Sequence, residues 1–164
     1  MDRSLAQAKR AMKDNEVSIE KGTEADLPML ERLIQELRHT MENPPDTDAS
    51  LAVDSCRILL GDPDHHVLVA KLAGLVVGFV NFATRRTIMH ARASGLIDEL
   101  IVAEKYRGQE IGKRLVGAVV ERCRQLGCDE VEVSTEKTNT EAREFYKRCG
   151  FEEDSVLLEK HLKD

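Results

Sequence analysis

Apolar positions along the chain recur with a period near 3.6 in some stretches and of 2 in others, and the switches between the two mark the elements. Val17-Ser18-Ile19 alternates as a strand. Asp26 can cap a helix whose Pro28 falls in the first turn, where a missing N–H does no harm. Leu30, Leu33, Ile34, Leu37 and Met41 then share one helical stripe, and the two prolines between Asn43 and Asp48 end it. A second helix is predicted over Ala49–Leu60, stopped by Gly61-Asp62-Pro63. The apolar runs His66–Leu72 and Leu75–Ala83, separated only by Ala73-Gly74, read as a hairpin. Gly95–Val102 reads as a further strand, interrupted by Asp98 and Glu99.

Ile111, Leu115, Ala118, Val119, Arg122 and Leu126 follow at helical spacing, with Gly127 placed as a C-terminal cap. Glu130–Thr135 alternates with Val131 and Val133 on one face. A helix over Thr140–Cys149 groups Ala142, Phe145, Tyr146 and Cys149. Short strands around Phe151 and over Val156–Glu159 are expected to close the chain. Strands alternating with helices in the second half imply a parallel pair, whereas the hairpin needs an antiparallel portion, so the sheet is expected to be mixed.

The length of 164 residues, 41% hydrophobic and 33% charged, suits one domain with its own core; residues 17–164 are expected to form it, behind a polar tail of residues 1–16. The net charge of −6 leaves no overall cationic field, so neither nucleic acid nor an anionic membrane is an expected partner. Any bound anion must be held locally. Cys56, Cys123, Cys128 and Cys149 form no C-x-x-C pair and no zinc-type spacing with the histidines, so no metal is expected. His65 and His66 are strand neighbours unable to share an ion, and His90 stands in a loop. With no export or membrane-spanning segment recognised, the thiols read as reduced and the protein as cytoplasmic.

A local anion site is visible. Tyr106-Arg107-Gly108-Gln109-Glu110-Ile111-Gly112-Lys113-Arg114-Leu115 joins a strand end to an amphipathic helix, and Ala103–Leu126 carries six bases against three acids. Glycines let backbone approach a ligand, and the first amides of a helix have no internal partner. A nucleotide triphosphate loop needs four residues between its glycines and a hydroxyl after its lysine; here three intervene and Arg114 follows Lys113. The dinucleotide fingerprint is absent as well.

Asp98-Glu99-Leu100-Ile101-Val102, Tyr106-Arg107-Gly108-x-x-Ile111-Gly112 and Asn139-x-x-Ala142-x-x-Phe145-Tyr146-x-x-x-Gly150-Phe151 together resemble the GNAT superfamily of acyl-coenzyme A dependent N-acetyltransferases. The resemblance implies a mixed, mostly antiparallel sheet with helices on both faces and a splayed parallel pair, Leu96–Val102 and Glu130–Thr135. Acetyl-coenzyme A would be the co-substrate. Its pantetheine arm would pair with Leu100, Ile101 and Val102, and its pyrophosphate would sit on the amides of Arg107, Gly108, Gln109, Glu110, Ile111 and Gly112, with Lys113 beside them. Asn139 would cap its helix and touch the arm. The family pattern has glycine where this chain has Glu110; helical dihedrals and a solvent-facing side chain would make the change harmless, whereas an inward carboxylate would oppose the ligand.

For the chemistry, the resemblance makes an acid of this strand the acceptor of the amine proton, and both Asp98 and Glu99 are candidates. Neighbours on a regular strand face opposite ways, so one of them is expected in the cleft. Glu99 is favoured because it shares a two-residue period with Ile97 and Ile101, where burial could move its titration towards neutrality. Tyr146 would protonate the departing sulfur, and the Val102 N–H would stabilise the oxyanion. Arg85, Arg86 and Arg92 form either a solvated loop or a lip favouring anionic acceptors. The reaction so implied is direct attack by a primary amine, of a small molecule more than of a protein, in a ternary complex. The rivals are a non-catalytic acyl-coenzyme A sensor of the same fold and phosphate chemistry on nucleotides. Members of the family often pair, which leaves a homodimer open.

Overall fold

The structure, a computed structural model, describes residues 16–41, 44, 48–89, 91–152, 155–160 and 162. The expected tail, apart from Glu16, and His90 lie outside the described residues. The elements run β1 Ser18–Lys21, a 3-10 turn Glu24–Asp26, α1 Leu27–Thr40, α2 Ala49–Gly61, β2 His65–Leu72, β3 Leu75–Arg85 and β4 Ser94–Val102. A second 3-10 turn Glu104–Tyr106, α3 Ile111–Gln125, β5 Glu130–Val133 and α4 Thr140–Arg148 follow.

The strands form one sheet in the order β1-β2-β3-β4-β5. The first three pairings are antiparallel and β4–β5 is parallel, as the mixed pattern requires. Ala73 and Gly74 join β2 to β3 with φ of 50° and 80°, the doubly positive turn whose twist matches a two-residue hairpin. On one face, Leu27, Leu30 and Leu33 of α1 pack on Val67, Val69, Val76, Phe79 and Ile101, with Val53, Cys56 and Leu60 of α2 at the margin. On the other, Ile111, Leu115, Val119 and Cys123 of α3 pack on Ala70, Val77, Val80, Phe82, Ile97 and Val102. Each fully buried aliphatic side chain contributes about 1.5–3 kcal/mol.

Four expectations change. Asp26 does not cap α1; its carboxylate turns back to accept from the Thr23 N–H (2.9 Å) and hydroxyl (2.8 Å), closing the 3-10 turn ahead of the helix. The buried row of α3 advances in steps of four, so Cys123 rather than Arg122 faces the sheet, and Leu126 lies past the last helical residue, exposed. A Cβ on Gly95 would stand 2.4 Å from the Cys123 Sγ, which shows how closely helix and strand approach there.

No strand forms among the described residues after Val133. Phe151 packs its ring edge-on against Tyr146 at 5.5 Å, and Val156, Leu157 and Leu158 stay 85%, 69% and 87% exposed, since an apolar run without a ladder partner has nothing to hold it extended. Finally, β4 is bulged. Asn81 lies opposite Glu99 but Phe82 lies opposite Ile97, which leaves Asp98 as an extra residue.

Candidate active site

The parallel pairing of β4 with β5 covers only Ser94–Ile97, with one further bond from the Ser134 N–H to the Ile97 carbonyl at 3.2 Å. β4 continues for five more residues, so the two strands part at Asp98 and leave a wedge. Backbone groups of successive strand residues point to opposite edges. The Ala103 N–H donates to the Val77 carbonyl of β3 at 2.9 Å, which turns the amides and carbonyls of Val102 and Leu100 the other way, into the wedge. Ile101, expected beside them, directs its backbone to β3 and its side chain into the α1 cluster.

The wedge leads to the Arg107–Lys113 turn. Gly108 has φ 73°, and Glu110 follows in the left-handed region at φ 63°, ψ 4°. This corrects the helical dihedrals expected for Glu110: the turn needs positive φ to aim the next amides at one point, and here a residue with a Cβ adopts it. Its carboxylate still faces solvent, 74% exposed, 3.4 Å from the Lys113 Nζ. Helices α2 and α4 are capped by Asp48 (to the Leu51 N–H, 2.9 Å) and Asn139 (to the Ala142 N–H, 3.0 Å), whereas the Glu110 side chain caps nothing in α3. The first intrahelical bond runs from the Arg114 N–H to the Glu110 carbonyl at 3.0 Å, so the Ile111, Gly112 and Lys113 amides are spare at the positive end of the helix dipole. Gly112 is needed for fit: a Cβ there would stand 3.2 Å from Phe145 Cζ.

Arg107 departs from expectation. Its N–H is already engaged by the Glu104 carbonyl at 3.1 Å, which leaves the exposed amides of the turn to begin after it. Its guanidinium donates through Nε to the Val102 carbonyl (3.0 Å) and through Nη2 to Glu36 Oε1 (3.1 Å), the same oxygen that accepts from the Glu104 N–H at 2.7 Å. Glu36 of α1 thereby fastens the turn to the helical layer. The exposed Gln109 reaches the Lys105 carbonyl at 3.5 Å.

Beyond the wedge lie the carboxylates. The bulge cancels the alternation on which the choice between them rested: Ile97 faces α3 and Ile101 faces α1, so Glu99 keeps step with Ile101 only. Nor does the bulge send Asp98 and Glu99 to opposite sides: alternation counted on from Ile97 puts Asp98, and counted back from Ile101 puts Glu99, on the α1 face. Asp98 and Glu99 both keep solvent-exposed surface, but partial desolvation of the Glu99 carboxyl still raises it above its ordinary value, against the pull of a 2.7 Å hydrogen bond from Asn81 Nδ2 to Oε2. Burial raises Asp98 too, opposed by His65 and Arg85. Tyr146 is buried between the rings of Phe145 (5.1 Å) and Phe151 (5.5 Å), and burial pushes its hydroxyl up to about 12. The thiols of Cys56, Cys123 and Cys149 are likewise raised, chiefly by burial.

His66 stacks on Phe82 at 4.8 Å. Of the arginines considered as a lip, Arg85 pairs with Glu132 and Arg92 with Asp129 at 3.5 Å, so acids supplied by the β5 segment engage two of the three. Sequence reasoning missed Glu36, which acts across 68 and 71 residues, and Asn81, although Asn81 is the single polar side chain within the run Leu75–Ala83 and that signal was readable.

Residues 30–151 match the model of the acetyltransferase (GNAT) family, well over half of the chain. The chain belongs to that family. It is 35% identical over 101 residues to the aminoalkylphosphonate N-acetyltransferase of Salmonella typhimurium, a match covering 62% of this chain and 66% of that protein. It is 25% identical over 78 residues to the glucosamine 6-phosphate N-acetyltransferase of Arabidopsis thaliana, covering 48% and 50%. The chain thus spans between half and two thirds of the length of these two relatives. A solved structure, aminoglycoside N-acetyltransferase AAC(6')-Iy in complex with CoA, superposes with a TM-score of 0.79 over 91% of this chain and 96% of that one, at 18% identity, a likeness of fold. Among the described residues no helix is long and apolar enough to cross a membrane.

Proposed function

We propose that residues 17–164 act as one N-acetyltransferase domain that moves an acetyl group from acetyl-coenzyme A to the primary amine of a small molecule, by direct attack in a ternary complex. The observation that carries this reading is the parting of β4 from β5 after Ile97, with the amides of Val102 and Leu100 turned into the gap and the uncapped start of α3 at its end. The pantetheine arm pairs with those strand groups, and the pyrophosphate lies on the turn amides from Gly108 to Lys113. Glu99, held above the usual carboxylate range by burial, takes the proton of the attacking ammonium. The amine nitrogen bonds to the thioester carbon, the Val102 N–H stabilises the oxyanion, the carbon–sulfur bond breaks, and Tyr146 supplies a proton to the sulfur while the second proton of the acylated nitrogen passes back to the phenolate. A covalent enzyme intermediate is disfavoured because three of the four thiols are pushed away from the reactive thiolate. The relatives named for an aminoalkylphosphonate and an amino sugar phosphate support a small acceptor.

Calorimetry with acetyl-coenzyme A, together with thiol release over a panel of 2-aminoethylphosphonate, glucosamine 6-phosphate, an aminoglycoside, spermidine and a peptide amine, tests the reading. Binding with turnover on a small amine is expected. No association at millimolar acetyl-coenzyme A overturns it, and binding without turnover on any amine favours the sensor.

A further inference from the structure

We propose that Asn81 is a positioning residue that holds the Glu99 carboxylate ionised and in place, and so makes Glu99 rather than Asp98 the base. The inference rests on the assignment of Glu99 above. Asn81 is 6% exposed in the middle of β3, in register with Glu99 at the edge of the bulge. Its Nδ2 donates to Glu99 Oε2 at 2.7 Å. With Glu99 ionised, as the proposal requires, the amide stands this way round, because an ionised carboxylate can only accept and the reversed amide would set two acceptors face to face. The consequence is that Asn81 Oδ1 is buried with no donor among the described residues.

An unpaired buried acceptor destabilises a fold, and an apolar residue would serve this strand better, so the fold itself does not explain the asparagine. What the amide does supply is a hydrogen bond to one carboxylate of two. Asp98, the extra residue of the bulge, receives no hydrogen bond from Asn81 among the described residues, and His65 and Arg85 act on its charge instead. The charged and titratable groups acting on Glu99 are Asp98 on β4 and His65 on β2, with Cys56 of α2 within range of its charge.

The test compares wild type, Asn81→Leu and Glu99→Gln by the pH profile of kcat/KM with 2-aminoethylphosphonate and acetyl-coenzyme A. A carbon-detected NMR titration of the Glu99 carboxyl, which needs no acceptor, runs alongside. In Asn81→Leu the Glu99 titration is expected to move up by about one unit, with kcat/KM on the acid side falling about tenfold. The KM for acetyl-coenzyme A should stay unchanged, and the thermal midpoint should not fall, because leucine also removes the orphaned oxygen. Should Asn81→Leu fail to fold, Asn81→Ser, too short to reach Glu99, carries the same expectation. An unmoved Glu99 titration, or a loss of stability that accounts for the loss of rate, overturns the proposal. If Glu99→Gln keeps the full rate and the acid limb, the assignment of the base has failed; if it loses both while Asn81→Leu titrates as wild type, only the role of Asn81 has failed.

Discussion

Replacing Glu110 by glycine separates backbone strain from charge at the turn ahead of α3, the proposed pyrophosphate seat. Glu110 holds φ 63°, a conformation that costs an L-residue about 1–2 kcal/mol. Glycine relieves that strain but adds about 0.5–1 kcal/mol of chain entropy to be lost on folding. The net gain is about 0.5–1 kcal/mol, which for a chain of this size raises the thermal midpoint by about 2 °C. The charge matters less. A like charge in water costs about 1 kcal/mol even at 4 Å, and this carboxylate is 74% exposed with the Lys113 ammonium 3.4 Å away. Acetyl-coenzyme A affinity should therefore rise no more than about fivefold on its removal. Glu110→Ala completes the design, because it removes the carboxylate and keeps the left-handed strain. Scanning calorimetry and ligand titration of wild type and both variants should give the order Gly above Ala and wild type in stability, with similar affinities throughout. A glycine variant less stable than the alanine one would refute the strain argument. A gain in affinity beyond tenfold in both variants would show that the carboxylate points at the ligand.

Three further outcomes are expected. Glu99→Gln should abolish most turnover and remove the acid limb of kcat/KM, which in wild type lies above the ordinary carboxylate value because burial raises Glu99. A raised acid pKa also means that ionised Glu99 destabilises the fold as pH climbs through that window, so the same variant should melt no lower than wild type at pH 7, read by circular dichroism. Tyr146→Phe should lower kcat by about 10 to 100-fold with KM for acetyl-coenzyme A unchanged in steady-state assays. The loss is modest because a phenol at about 12 gives its proton to an ordinary thiolate near 8.5 only uphill, by about 5 kcal/mol, and so assists chiefly by hydrogen bonding as the bond breaks. Full turnover in that variant would remove Tyr146 from the mechanism. Burial raises Asp26, but Lys71 at 3.1 Å and Thr23 outweigh it and leave the carboxyl below its usual value. The stability it contributes is present above the unfolded value and lost as pH falls through the folded one, so the thermal midpoint should drop below about pH 4, less steeply in Lys71→Met. Equal slopes would deny the pair that role.

What the sequence made legible was whatever is decided within a few residues. The hairpin at Ala73-Gly74, the cap at Asn139 and the leucine row of α1 are local choices, and each is readable from neighbours in the chain. The bulge at Asp98 is not local. It is a count of residues between two strands, and neither strand alone records that Asn81 meets Glu99 while Phe82 meets Ile97. The αL conformation of Glu110 was hidden for the opposite reason, since the residue that ordinarily announces positive φ is glycine, and here a glutamate adopts it. The hold of Glu36 on Glu104 and Arg107 reaches across β2, β3 and β4 in sequence and leaves no periodic trace.

The bulge and the hold of Glu36 meet on one strand. At Ile97, β4 loses its parallel partner, and the next residue is the bulge. A regular β4 would have put Asp98 and Glu99 on opposite faces, and one carboxylate would have been lost to the site. The inserted residue instead sets both on the α1 face and shifts the alternation, so that the Leu100 and Val102 amides turn into the wedge. The end of the same strand is gripped by Arg107, whose other contact is Glu36 of α1. Helix α1 packs on Ile101, two residues from Glu99. Displacing α1 would therefore disturb the Arg107–Lys113 turn and Glu99 together, so the two halves of the proposed site are held in register by one helix and one strand rather than by the loops between them.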